Sequence, residues 1–494
     1  MSILSAPYYP IIYVRGYAMT RSEIEATTAT PFMGFNLGAT KVRQAWDGHV
    51  EQRFFESPLI RLMKDHGYVD ACHGDVLKQG SLPVRSVFIH RYYDQADPDF
   101  ADDDAPSIEE AAAGLRDLIG CARDLICGED NALRERFRVY LVAHSMGGLV
   151  CRCLLQNRRL RDSAEAKMVD KVFTYATPHN GIDVAGINVP RFLGIRDINN
   201  FNRRRIADYL SLDRSDNVSG LGGHFDPQRF FCLVGTNSGD YDAAAGLSRR
   251  LAGTASDGLV KIENASVKGA RRAFVYRSHS GPFGIVNSEE GYQNLVRFLF
   301  GDVVVDGELE VEALPLPPSI EKHKRAGRVV RASYLFEASV SVREGDFLLS
   351  QRTRETRSAI FRSYDELLKP AQVGREGPRS PRLFSLFLDS RNIAIGNTLV
   401  FAIDLAVSAT EYQVGRAVFA RHRLPGESLY RENICIRATH DGDRWRLRSI
   451  AMDESWSEGR GKLMHGHNGD FDMLLSNRKG FQGRLRLMPQ KIGC

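Results

Sequence analysis

The run Val142-Ala143-His144-Ser145-Met146-Gly147-Gly148 constrains the fold more than any other stretch of the chain. Ahead of it, Arg138-Val139-Tyr140-Leu141-Val142 is apolar enough for a buried strand. Behind it, Gly147 to Asn157 has helical spacing, with Leu149, Val150, Leu154 and Leu155 on one face. The small residues at 143 and 147 let the turn between them tighten until Ser145 is strained and its oxygen exposed. Alanine stands at 143 where the Gly-x-Ser-x-Gly form of this turn has glycine. A chance Ser-Met-Gly-Gly turn is the competing reading, and the strand and helix on either side weigh against it.

A chain of 494 residues exceeds one ordinary core and predicts two or three domains. Residues 8–304 alternate apolar strand-like runs with helical stretches, the pattern of a doubly wound, mainly parallel α/β sheet. Strands are expected over 10–14, 84–90, 139–143, 169–175, 230–234 and 273–276, and helices over 107–127 and 288–299. Ser107 and Ser288 are the expected helix caps, each followed by acidic residues suited to the positive end of a helix. Prolines and mixed charges over 304–327 read as a linker between a domain at 1–303 and one at 328–494. Beyond the linker the period becomes two, as in Ser333-Tyr334-Leu335-Phe336-Glu337-Ala338, and an all-β sandwich is expected.

Composition narrows the function classes. A hydrophobic share of 43% with 26% charged residues is that of a globular protein. No run approaches eighteen apolar residues, and the N-terminus lacks a basic start with a long apolar stretch. A cytoplasmic protein is therefore expected, with signal-independent export left open. None of the eight cysteines forms a Cys-x-x-Cys pair, which argues against zinc knuckles and dithiol redox chemistry. Phosphate-binding glycine loops are absent, so a nucleotide enzyme is not indicated, and no nucleic-acid partner is expected. The small net charge of +5 comes from the C-terminal part. That basic excess suits either peripheral contact with an anionic membrane or protein partner, or simply a solvated β surface.

A serine hydroxyl needs a histidine base, an acid to orient that base, and donors for the oxyanion. Doubly wound hydrolases order these partners Ser, Asp, His along the chain. Asp257, in Ser256-Asp257-Gly258-Leu259-Val260, and His279, in Ser278-His279-Ser280-Gly281, follow Ser145 in that order. The expected oxyanion donors are the backbone N–H groups of Met146 and Tyr17. Asp240 and Asp242 are rival acids, while His66, His73 and His90 precede the serine and break the order. His465-Gly466-His467-Asn468-Gly469-Asp470-Phe471-Asp472 is either a metal site or an ordinary Asn-Gly hairpin, the latter preferred.

Together these segments resemble the α/β-hydrolase lipases and esterases. Tyr9 to Tyr17 is similar to the family's strand and oxyanion segment, and Ala143 to Gly148 to its Ala-His-Ser-Met-Gly-Gly elbow. Thr174-Tyr175-Ala176-Thr177-Pro178-His179-Asn180-Gly181 looks like the Thr-Pro-His-x-Gly segment of bacterial lipases and of the lipase-like GPI inositol-deacylase group. Residues 256–260 are similar to the acid-bearing segment. The resemblance spans residues 8–300 and implies a packing role for His144, while His179, in the Thr-Pro-His-Asn-Gly turn, is read as structural and not as the base. Arg15 departs from it, standing where the family usually has histidine. The implied activity is hydrolysis of a carboxylic ester, most naturally an acyl lipid, with no cofactor. A phospholipase effector, a thioesterase, an amidase and a non-catalytic binding protein of the same fold are the alternatives. Segments 18–56 and 182–228 are candidates for lids or acyl-chain walls, or for added packing.

Overall fold

The computed structural model describes residues 4–16, 39–44, 50–73, 76–77, 82–90, 92, 106–184, 187–188, 201–213, 217–240, 253–281, 283–342, 347–367, 379–393, 398–415, 422–441, 444–451 and 461–492. They fall in two units, Met1–Phe300 and Gly301–Cys494.

In the first unit, seven strands form one sheet: β1 (Ile11–Val14), β2 (Val69–Asp70), β3 (Ser86–His90), β4 (Val139–His144), β5 (Val169–Tyr175), β6 (Phe230–Gly235) and β7 (Arg271–Val275). Their order is β7-β6-β5-β4-β1-β3-β2, and every pairing is parallel. Every residue of β1, β4 and β6 is buried, as continuous apolar runs demand when helices cover both faces. Six of the seven strands were expected from the sequence. β2 was not, because two residues carry no periodicity. From β1 the chain moves to one side of the sheet for β2 and β3, then crosses back to β4 and grows toward the other edge. The reversal lies between β1 and β4, and at such points open α/β sheets form a crevice at the carboxyl ends of the strands.

Five helices matter for the site: α1 (Ser57–His66), α2 (Ile108–Cys127), α3 (Gly147–Gln156), α4 (Arg203–Tyr209) and α5 (Glu289–Phe300). The Ser107 side chain caps α2, and Glu110 reaches back to the Ser107 backbone in a capping box. Ser288 Oγ accepts the Gly291 N–H at 2.9 Å, the cap expected for α5. All ten residues of α3 are buried, so its apolar face is only part of a helix surrounded by protein. Within it, Arg152 is fully buried. Its guanidinium donates to Gln156 Oε1 at 3.0 Å, to the His179 carbonyl at 2.8 Å and to the Val218 and Gly220 carbonyls, each at 2.7 Å. Burial lowers its pKa to about 10, which still leaves the group charged at neutral pH. The cation ties α3 to the 177–181 turn and to the 218–220 segment through neutral acceptors.

The second unit is antiparallel. A five-stranded sheet places Val303–Ala313 between Arg382–Leu388 and Gln482–Lys491. An eight-stranded sheet is built on the pair Val330–Val342 and Thr398–Val414. Val305, Leu309, Leu485 and Leu487 of the first share one core with Tyr334, Phe336, Ile403 and Leu405 of the second. This is the expected sandwich.

The linker expected over 304–327 is not a linker. Val303–Ala313 is an interior strand, and Pro318–Arg325 is a helix whose Ile320 is buried. Proline and charge outweighed a period-two signal in which Val303, Val305, Leu309 and Val311 face the core. The prolines lie between strand and helix, with Pro318 at the helix start, where its missing N–H costs nothing. The His465–Asp472 segment is a hairpin turning at Asn468 (φ 52°) and Gly469 (φ 88°), and Arg484 and Arg486 hold the Asp472 carboxylate. Among the described residues, no helix is long and apolar enough to cross a membrane.

Replacing Arg152 by Met should lower the stability of the first unit by about 3 kcal/mol in urea unfolding, because the buried His179 and Val218 carbonyls lose their donor while Gly220 keeps that from Gln156 Nε2. A cost under about 1 kcal/mol would mean the carbonyls find other donors.

Candidate active site

Ser145 follows directly on β4, before α3 begins, with φ at 51°, a left-handed conformation rare for a residue with a side chain. Its two glycine neighbours explain how the turn closes. A Cβ on Gly147 would lie 2.3 Å from the Val14 carbonyl oxygen, and one on Gly148 would lie 2.2 Å from Thr177 Oγ1. The elbow therefore presses against β1 on one side and the Thr-Pro-His turn on the other.

His279 Nε2 lies 2.9 Å from Ser145 Oγ, and His279 Nδ1 lies 2.9 Å from Asp257 Oδ2. The three residues are 6%, 3% and 1% exposed, so water competes little with these bonds. Asp257 is itself fixed. Its Oδ1 accepts the N–H groups of Leu259 and Val260 at 3.0 and 2.7 Å, and its carbonyl accepts the His279 N–H at 2.9 Å. With Nδ1–H donated to the carboxylate, Nε2 is left to accept a proton from the serine, the geometry of an activated nucleophile.

Among the described residues, the Met146 N–H meets no acceptor, and it sits at the amino end of α3, where the helix dipole favours negative charge. Tyr17, expected to supply the second oxyanion donor, lies outside the described residues. So do Asp242, Phe32, Phe35, Trp46, residues 189–200, and the side chains of His73, Phe54 and Phe55.

Arg15, the departure from the family pattern, donates from Nε to Glu56 Oε1 at 2.9 Å and from Nη2 to Oε2 at 3.3 Å. Both side chains are buried, and Glu56 stands at the amino end of α1. A bidentate ion pair thus joins the segment after β1 to α1 and balances the arginine's charge beside the site. Sequence reasoning had no means of finding Glu56, which lies 41 positions away.

The other histidines are occupied elsewhere. His90 Nε2 meets the Ala111 carbonyl at 2.8 Å, and the His66 ring lies 4.8 Å from that of Phe300. His179 Nε2 meets Thr174 Oγ1 at 3.1 Å. His144 does more than pack: its Nε2 lies 2.9 Å from the His279 carbonyl, which anchors the backbone of the base. Burial and the neighbouring His279 hold the His144 imidazole down at about 3, so it stays neutral. Asp240 accepts from Asn237 at 2.6 Å, whereas the acid bonded to His279 is Asp257.

Residues 94–219 match the family model of a PGAP1-like alpha/beta domain. The parallel sheet of the first unit, with its helices, has the architecture of the α/β-hydrolase fold. Among solved structures, the chain is similar to a cell surface hydrolase of Lactobacillus plantarum, at 14% identity and a TM-score of 0.26, over 60% of this chain and 91% of that one. It is also similar to an acetylxylan esterase, at 12% identity and a TM-score of 0.19, over 39% of this chain and 79% of that one. Likenesses at these scores carry nothing about substrate. No curated protein matches the chain.

Three histidines of the first unit, His90, His144 and His179, have pKa values pushed down, in each case chiefly by burial. In the unfolded chain they take up protons near pH 6.5, while the folded domain resists doing so. Stability should be fully present above about pH 6.5 and decline below it, by up to about 1.4 kcal/mol per pH unit for each histidine. Urea unfolding between pH 7.5 and 5 checks this, and a flat profile contradicts it.

Proposed function

We propose that the hydrolase domain is a serine hydrolase cleaving carboxylic esters of acyl lipids. One observation carries the reading: the unbroken chain from Ser145 Oγ through the His279 ring to Asp257, starting at a left-handed serine. Ser145 attacks the ester carbonyl while His279 Nε2 takes its proton. The tetrahedral oxyanion develops against the Met146 N–H, and Tyr17 is the intended second donor. His279 then gives the proton to the departing alkoxide, leaving an acyl-serine that water hydrolyses by the same route. Asp257 holds the imidazole in its working tautomer and stabilises its charged form.

Support for an apolar acyl group comes from the loop bearing the base. Among the described residues of the first unit, the exposed large apolar side chains are Tyr276 (54%) and Phe283 (37%), on either side of His279. Exposed aromatic side chains on the loop that bears the base suit a hydrophobic substrate better than a charged peptide.

A fluorophosphonate probe should label the wild type and not Ser145→Ala. Ser145→Ala and His279→Ala should each lower kcat by about 10⁴-fold or more, and Asp257→Asn by a comparable factor. A screen over ester chain length, phospholipids, thioesters and amides should favour esters of medium or long chains. Faster turnover of thioesters or amides would reassign the substrate class, and a folded wild type without labelling would make this a binding protein on a hydrolase fold.

A further inference from the structure

We propose that Thr177 is a positioning residue whose hydroxyl sets the plane of the Ser145–Met146 peptide, and with it the aim of the oxyanion donor. This rests on the hydrolase reading above. The argument begins in the sheet. β4 and β5 run in parallel register up to His144 opposite Tyr175. The next residue on each strand is left-handed, Ser145 at φ 51° and Ala176 at φ 49°. The Ser145 N–H still donates to the Tyr175 carbonyl at 2.9 Å, so the two chains leave the sheet side by side. Thr177 is thereby carried over the elbow, and its Oγ1 donates to the Ser145 carbonyl at 2.8 Å. The hydroxyl fills the space that the missing Cβ of Gly148 leaves open.

A trans peptide is planar, with C=O and N–H pointing in opposite directions. Holding the Ser145 oxygen therefore fixes the direction of the Met146 N–H. The same oxygen also accepts the Gly148 N–H at 3.1 Å. Two donors on one carbonyl polarise the amide and strengthen its N–H as a donor. Thr177 is 1% exposed, so no bulk water stands ready to replace its hydroxyl. Misaiming one oxyanion donor weakens transition-state binding and leaves ground-state binding nearly unchanged.

The test compares Thr177→Val, which keeps the shape and loses the donor, with Thr177→Ser, which keeps the donor. On the best ester, Thr177→Val should lower kcat by about ten- to a hundredfold with KM within about twofold. Affinity for an alkyl trifluoromethyl ketone, which forms a tetrahedral adduct on the serine, should fall by the same factor as kcat/KM. Thr177→Ser should stay within about threefold of the wild type. Wild-type kcat in Thr177→Val overturns the proposal, and so does a Ser variant as slow as the Val variant, which would point to the methyl group. Crystal structures of the wild type and Thr177→Val provide a second arm, in which a rotated Ser145–Met146 peptide supports the proposal and an unmoved one overturns it. If the wild type turns over no ester, the hydrolase reading fails, and the peptide orientation still decides this proposal.

Discussion

Ser145 holds a backbone conformation that costs an L-residue roughly 1–2 kcal/mol, and the first unit is arranged so that relaxing it would cost more. Its N–H is tied to β5, its carbonyl to Thr177, and the glycines after it leave no room for side chains against β1 and the Thr-Pro-His turn. A strained residue persists only when its surroundings over-determine it. Here β1, β5, the Thr-Pro-His turn and the first turn of α3 all do so. The relay to His279 and Asp257 follows, because both loops end strands of the same sheet and are bonded to one another through backbone as well as side chain.

Much of this was readable in the amino-acid order, for physical reasons. Buried parallel strands must be apolar along nearly their whole length, so β1, β4 and β6 stand out as runs bounded by turns. The serine, acid and base each sit in a short segment with its own turn chemistry. What the sequence hid is whatever depends on two distant segments meeting. Glu56 has no local signature that marks it as the partner of Arg15, and the two meet only because α1 begins against the segment after β1. His144 and Thr177 lie inside segments that the family resemblance picked out. Their roles needed three dimensions, since each acts through a hydrogen bond to the backbone of a different segment.

The charges of the first unit divide by burial. At its centre His144 and His179 stay neutral and Arg152 is surrounded by carbonyls, whereas nearer the surface arginines pair with carboxylates, as Arg61 does with Glu289 and Arg277 with Glu290. The arrangement follows the cost of desolvating an ion, which is small where water reaches and prohibitive where it does not. Two buried cations are exceptions, Arg15 in its pair with Glu56 and, without any carboxylate, Arg152. Its four neutral acceptors replace its hydration shell, so a cation can sit at the heart of α3.

The strand Val303–Ala313 bears on how the chain can be divided. Only Gly301 and Asp302 separate it from the last residue of α5, and it lies between two partners drawn from far along the sequence. Cutting at the prolines after residue 313 would leave this strand attached to the first unit with both hydrogen-bonding edges bare, a template for aggregation. The remaining β unit would in turn lack an interior strand of its five-stranded sheet. A clean separation falls at Phe300, so a fragment or fusion designed around the proline cluster would report the behaviour of two damaged halves, not of two domains.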